Sequence, residues 1–257
     1  MSTTFCTFLG SNGFLPTEDA HTACYMIPEL GIVFDAGSGF FRVPKLIKTP
    51  YLDVFITHGH LDHIMGIQAV MSIIRNPSIE KVTVHAEQPV IDQIKQICNQ
   101  PYFPVPIEMQ LIPFKSLPED YQGEPEIIEC SHPGVKITYF PLKHTSPCYG
   151  FRVDYNQKSI AYVTDTTSTV ESPYLTYLND LEVLFHEAYS LDPVNSMNFG
   201  HTDALSLAQV CNKIQCQKLV LIHHNPAGGK NEIFDCIKKE FPEIVLANDN
   251  ESVQIFT

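Results

Sequence analysis

Thr57-His58-Gly59-His60-Leu61-Asp62-His63 places three imidazoles and one carboxylate within six positions, directly after the apolar run Val54-Phe55-Ile56. Residues two apart do not share a helical face, so His58 and His60 are not helix neighbours. In an extended or tightly turned backbone just past a strand, 58 and 60 point the same way, and Asp62 with His63 reaches a second centre as the turn opens. Two adjacent metal ions are served better by this spacing than one. A scattered histidine is ordinarily hydrogen-bonded or exposed, and that is the reading for His21, His85 and His132. Several neutral imidazoles beside a carboxylate at the end of an interior strand are costly to bury unpaired, whereas a divalent cation satisfies them all.

The elements that must position this cluster are short and alternate. Strands are expected at 5–9, 23–27 and 32–35, each running into a turn, and 53–57 is apolar enough for an interior strand. Apolar residues at 64, 67, 70, 71 and 74 predict a helix stopped at Asn76-Pro77. A strand at 82–85 and a helix at 88–100, with Pro89 in its first turn, follow. The Pro- and Glu-rich stretch 102–129 reads as a surface excursion with one or two short strands. Strands are then expected at 135–140, 148–154, 159–163, 182–185, 218–222, 244–246 and 253–256. Helices are expected at 172–178, at 203–212 with Thr202 as N-cap, and at 231–240. Strand-rich blocks joined by helices, occurring twice, suggest sheets covered by helices on the outside.

Composition narrows the partners. The chain has 257 residues, 44% of them hydrophobic and 18% charged, which is ordinary for a folded domain. Sixteen Lys and Arg against 29 acidic residues give a net charge of -13, which opposes a large polyanion and leaves room for a small anion held by bound cations. The eight cysteines form no C-x-x-C and no tight framework, so they read as mostly buried thiols of a reducing compartment. No basic-then-apolar leader and no apolar run of membrane length is seen, and the expectation is a cytoplasmic protein without membrane contact.

On these residues the chain resembles the metallo-β-lactamase superfamily, whose H-x-H-x-D-H motif is met without substitution at His58, His60, Asp62 and His63. His144 in Leu142-Lys143-His144-Thr145 resembles the family's isolated ligand histidine. Asp165 in Tyr162-Val163-Thr164-Asp165-Thr166 resembles its bridging aspartate, and His223 its final ligand histidine, with His224 one register out. The resemblance implies an α/β fold, a four-layer αββα sandwich of two mixed β-sheets flanked by helices, forming a single domain over 1–257. It further implies one metal on His58, His60 and His144, a second on Asp62, His63 and His223, and Asp165 between them. Zinc is the expected ion, with manganese and iron admitted by the same donors. Asp35, after the run 32–34, resembles the family's buried aspartate that orients a ligand loop; capping its own turn is the alternative.

Leu184-Phe185-His186-Glu187-Ala188 followed by Gly200-His201-Thr202 resembles the H-E-A and G-H-[ST] elements of the transfer-RNA 3′-processing endonuclease group and its phosphodiesterase relatives. By that resemblance His201 sits beside the scissile phosphate, supported by a carboxylate, and Asp62, His201 and Glu187 are the candidate catalytic side chains. The endonucleases generally carry a basic, Gly-rich arm between the positions of His144 and Asp165. Here two expected strands consume that interval, so transfer RNA is disfavoured and a small anionic phosphodiester, such as a cyclic nucleotide or cyclic ribose phosphate, is expected. The bacterial cyclic ribose phosphate phosphodiesterases resemble this layout but add an N-terminal cysteine-rich zinc site that has no counterpart here. A lactonase or thioesterase, with Tyr189 or Tyr149 as oxyanion donor, and a catalytically silent ligand-sensing protein are the competing classes. A homodimer is admissible. Segments 11–14, 38–43, 144–149 and 189–199 are the expected pocket walls, and Phe14, Phe40, Phe41 and Phe199 are candidates for stacking on a base or for plain packing.

Overall fold

A computed structural model describes residues 3–107 and 109–256. The first sheet is built from β1 (Thr4–Gly10), β2 (Cys24–Ile27), β3 (Ile32–Phe34), β4 (Tyr51–Phe55), β5 (Lys81–Glu87), β6 (Gln110–Phe114) and the last strand, β14 (Ser252–Phe256). Its order is β14-β1-β2-β3-β4-β5-β6. The second sheet comprises β7 (Glu126–Ile128), β8 (Lys136–Leu142), β9 (Cys148–Tyr155), β10 (Lys158–Val163), β11 (Val183–Glu187), β12 (Leu219–Ile222) and β13 (Ile244–Leu246), in the order β13-β12-β11-β10-β9-β8-β7. Both are mixed: β3, β4, β5 and β6 pair in parallel, as do β10, β11, β12 and β13.

The period of two along each strand builds the layers. In β10, Ile160 and Tyr162 enter the core between the sheets, where they meet Phe34, Phe55, Phe151 and Phe185. Ala161 and Val163 face the other way, into a core shared with α5 (Ala204–Ile214) and α6 (Lys230–Glu240). Across the sandwich, Leu52 and Val54 pack with residues of α2 (Val70–Ile74) and α3 (Gln88–Ile97) while Phe55 turns inward. Helices outside, two sheets inside, is the four-layer αββα arrangement that the sequence implies.

Local departures have physical causes. The helix expected from 64 to 74 is broken into α1 (Leu61–Ile64), a 3-10 turn at Ile67–Ala69, and α2. A Cβ at Gly66 would lie 2.0 Å from the Gly37 carbonyl oxygen, so the loop after β3 occupies the space a helical side chain would need. The cap of α5 is Asp203, whose carboxylate accepts from Leu205 N and Ser206 N, and not Thr202. The Thr202 hydroxyl is committed to the Thr166 carbonyl and to Ser168 N. The excursion at 102–129 supplies β6 at one edge of the first sheet and β7 at one edge of the second. All eight cysteines are free thiols, six of them buried. No helix among the described residues is long and apolar enough to cross a membrane.

Candidate metal centre

Strands β3 and β4 run parallel and end together, and the chain delivers Asp35 from the first and the cluster 58–63 from the second. In the other sheet β8, β10 and β12 share one direction and end near the same place, followed by His144, Asp165 and His223. Seven side chains therefore converge at the carboxyl ends of strands from both sheets. Two groups result: His58, His60, His144 and Asp165, and Asp62, His63, Asp165 and His223, each with ligand atoms within 4.8 Å of one another. Asp165 belongs to both because its oxygens divide. Oδ1 lies 3.1 Å from His223 Nε2 and 3.4 Å from His63 Nε2, while Oδ2 lies 3.6 Å from His58 Nε2 and 3.7 Å from His144 Nε2.

The outer nitrogen of three of these rings is held by the protein, which sets the tautomer. His63 Nδ1 donates to Asp35 Oδ2 at 2.8 Å. His144 Nδ1 donates to the Gly200 carbonyl at 2.8 Å. Thr57 gives its hydroxyl proton to Asp35 and so accepts from His58 Nδ1 at 3.0 Å. Neutral rings fixed this way turn bare lone pairs inward. His58 Nε2 then lies 2.9 Å from His60 Nδ1, His144 Nε2 3.3 Å from the same His60 atom, and His63 Nε2 3.2 Å from His223 Nε2. Three fixed lone pairs that converge beside the Asp62 and Asp165 carboxylates are what a divalent cation satisfies, so the donor set fits divalent metal ions.

For His58, His60 and His144 the electrostatics agree. Burial and the neighbouring imidazoles hold His58 well below the usual range, and burial lowers His60 and His144. Burial also works against His63, but Asp165, Asp35 and Asp62 together raise it. Burial opposes ionisation of Asp165, and the surrounding imidazoles overcome it, leaving the carboxyl well below its ordinary value.

Backbone geometry is strained where the aim matters. Asp35, Asp165 and His223 adopt φ of 56°, 48° and 52°, the left-handed region that costs a non-glycine residue of order 1–3 kcal/mol when the surroundings impose it. Each lies just past a strand, where the reversal redirects its side chain. Asp35 is more than a turn cap: it also accepts from Thr57 N at 2.8 Å and from the Tyr162 hydroxyl at 2.9 Å.

Glu187, at the end of β11, is fully buried. Its Oε1 accepts from Thr166 N, Thr202 N and His201 Nδ1, the last at 3.1 Å. Burial pushes the His201 imidazole down, but the Glu187 charge and hydrogen bond, with Asp165 beyond, carry it up to about 9. The His201 ring stands 5.3 Å from that of His144 and 5.7 Å from that of His223. A cavity of about 430 Å³ opens over the donors, lined by Phe14, Thr145, Tyr189 and Phe199 besides His60, Asp62, His144, Asp165, His201 and His223.

Two expected wall elements, and His224, lie elsewhere. Phe40 is fully buried, and no residue of 38–43 lines the cavity. The Tyr149 hydroxyl is spent on Glu87 Oε1 and Leu117 N, away from the donors. His224 donates its Nε2 proton to the Ala247 carbonyl and joins neither group. Gly200 escaped the sequence reading as an active part: its φ of 74° and its carbonyl position His144, and a Cβ there would lie 2.8 Å from His144 Nδ1. Its place directly before His201 in the Gly200-His201-Thr202 motif was the available signal.

A family model described as a beta-lactamase superfamily domain matches residues 31–224. Ribonuclease Z of Pyrococcus abyssi is 22% identical over 292 residues, taking in 96% of this chain and 95% of that protein. Matches to further ribonuclease Z proteins, from Clostridium acetobutylicum and Halobacterium salinarum, span about half of those proteins' length. Among solved structures, human tRNase Z, short form, superposes with a TM-score of 0.76 at 20% identity, covering 98% of this chain and all of that one. A diphosphatase from the PhnP family superposes with a TM-score of 0.71 at 20% identity, covering 99% of this chain and all of that one. These two likenesses establish the fold.

Proposed function

We propose that this chain, which belongs to the beta-lactamase superfamily, is a metal-dependent hydrolase that uses two divalent ions to cleave a small phosphodiester. The observation that carries the reading is the His201–Glu187 pair, an imidazole held by a buried carboxylate in the cavity that opens over both donor groups. Breaking a P–O bond needs an activated water, compensation of charge on the nonbridging oxygens, and a proton for the departing oxygen. Bound divalent ions supply the first two, by lowering the pKa of water and by acting as Lewis acids. The chain supplies the third. With Nδ1 committed to Glu187, His201 presents Nε2 to the leaving oxygen, and the Glu187 carboxylate stabilises the ring while it carries the proton. Asp62 reaches His63 and His223 through Oδ2, and its other oxygen accepts a hydrogen bond from the attacking water. His58, His60 and His144 would hold one ion and Asp62, His63 and His223 the other, with Asp165 shared between them; zinc is the ion proposed, and manganese or iron would suit the same donors.

The small substrate is supported by what surrounds the cavity. Between His144 and Asp165 the chain has residues 145–147 and then β9 and β10, which turn at Asn156-Gln157 with φ of 51° and 64°, a two-residue hairpin. The net charge of -13 and a cavity lining without Lys or Arg give a long polyanion little to hold. A cyclic nucleotide or cyclic ribose phosphate fits these terms.

Protein loaded with zinc or manganese is expected to hydrolyse bis-p-nitrophenyl phosphate and 2′,3′-cyclic nucleotides, and lactones, acyl thioesters and precursor transfer RNA are screened in parallel. Turnover confined to the lactones or thioesters replaces the proposal with carbonyl chemistry. Efficient transfer-RNA cleavage with inert small diesters overturns the substrate class, and full metal loading without any turnover leaves a ligand-sensing protein.

A further inference from the structure

Phe14 and Phe199 are 49% and 54% exposed, yet both line the cavity above the donor groups. Large apolar rings left in water carry a hydration cost that an apolar or flat ligand group relieves. Neither ring hangs on a loose loop. Gly13 N donates to the His224 carbonyl at 2.8 Å and its Cα sits against the His223 ring, where a Cβ would come within 2.9 Å of Cε1; Phe14 is the next residue. Gly200, which follows Phe199, is tied to His144 through its carbonyl. The ring of Tyr189 lies 5.7 Å from that of Phe199 and stacks on His201 at 4.8 Å, 11° from parallel. Aromatic surface therefore runs from the cavity mouth down to the imidazole assigned to the leaving oxygen.

We infer that Phe14 and Phe199 are specificity residues that stack on a nucleobase, so that the phosphodiester cleaved belongs to a nucleoside and not to a bare sugar. The inference rests on the phosphodiesterase reading above, which fixes the phosphate over the metal donors and leaves the rest of the ligand against these rings. Beyond the metal donors and His201, the lining offers only the hydroxyls of Thr145 and Tyr189 as hydrogen-bonding side-chain groups. Stacking without edge contacts accepts any base, because every base has a π-face. Purine and pyrimidine nucleotides are thus bound alike.

Calorimetric titration of the metal-loaded protein with adenosine 5′-monophosphate, uridine 5′-monophosphate and ribose 5-phosphate tests this without requiring turnover. Both nucleotides are expected to bind about ten-fold tighter than the sugar phosphate, the scale of one base stacked on aromatic side chains. The double variant Phe14→Leu, Phe199→Leu closes that gap, and Phe14→Tyr, Phe199→Tyr keeps it; metal content and Tm report whether each variant folds. Equal affinity for nucleotide and sugar phosphate in the unaltered protein overturns the inference. So does a gap that survives both leucines. A protein that prefers nucleotides yet hydrolyses no phosphodiester loses the proposed reaction and keeps the base subsite. One that hydrolyses phosphodiesters without preferring the base loses the subsite alone.

Discussion

His58, His60, Asp62 and His63 leave the first sheet from one stretch of chain after β4, whereas the second sheet delivers His144, Asp165 and His223 one at a time, past β8, β10 and β12. The two routes are built differently. The consecutive donors are aimed by the turn into α1 and by Asp35 behind them, and none of the residues 58–63 has a positive φ. The dispersed donors depend on a whole sheet for their spacing, and Asp165 and His223 reach the centre through left-handed backbone. A local turn tolerates change in distant packing; a set spread over five adjacent strands transmits it.

The largest effect is expected for Asp165→Ala, the side chain shared by both groups: metal analysis should find both ions depleted, and turnover should be lost with them. Next is His201→Ala, for which turnover should fall about 10²–10⁴-fold, the range for removing a general acid, while bound metal stays at the unaltered level. Equal loss of metal and turnover would make His201 structural support. Asp35→Asn keeps the side-chain volume and weakens the orientation of His63, so metal affinity should drop roughly 10–100-fold, as for other residues that orient a ligand ring. Competition with a chelator measures it. Gly200→Ala sharpens the contrast further, because the added Cβ crowds His144 and the adjoining Thr145: loss of one ion with retention of the other is expected, and loss of both would show the two groups to be inseparable. The smallest effect is that of Asp203→Ala, which removes the cap of α5 and should cost about 1 kcal/mol in denaturant unfolding.

The same contrast explains what could be read in advance. Donors packed into one motif announce themselves by residue type, whereas His144, Asp165 and His223 came only from the resemblance to the family, in which ligands follow in that order. The layers followed from period-two strands and helices between them. What stayed hidden acts through backbone or across the sandwich. The carbonyl of Gly200 leaves no trace in side-chain chemistry, and Tyr162 meets Asp35 only because two sheets stack. Thr202 and Asp203 are both good caps, and the choice was made by Thr166 and Ser168, which engage the threonine. The break near Gly66 came from a loop 29 positions earlier in the chain, at Gly37.

The connection from β6 to β7 joins one edge of the first sheet to one edge of the second, and that from β13 to β14 joins the remaining two edges. The sandwich is therefore laced shut along both sides, like a book clasped at spine and fore-edge. The cavity over the donors opens at the end where the strands stop, so its rim is made of the loops that follow them.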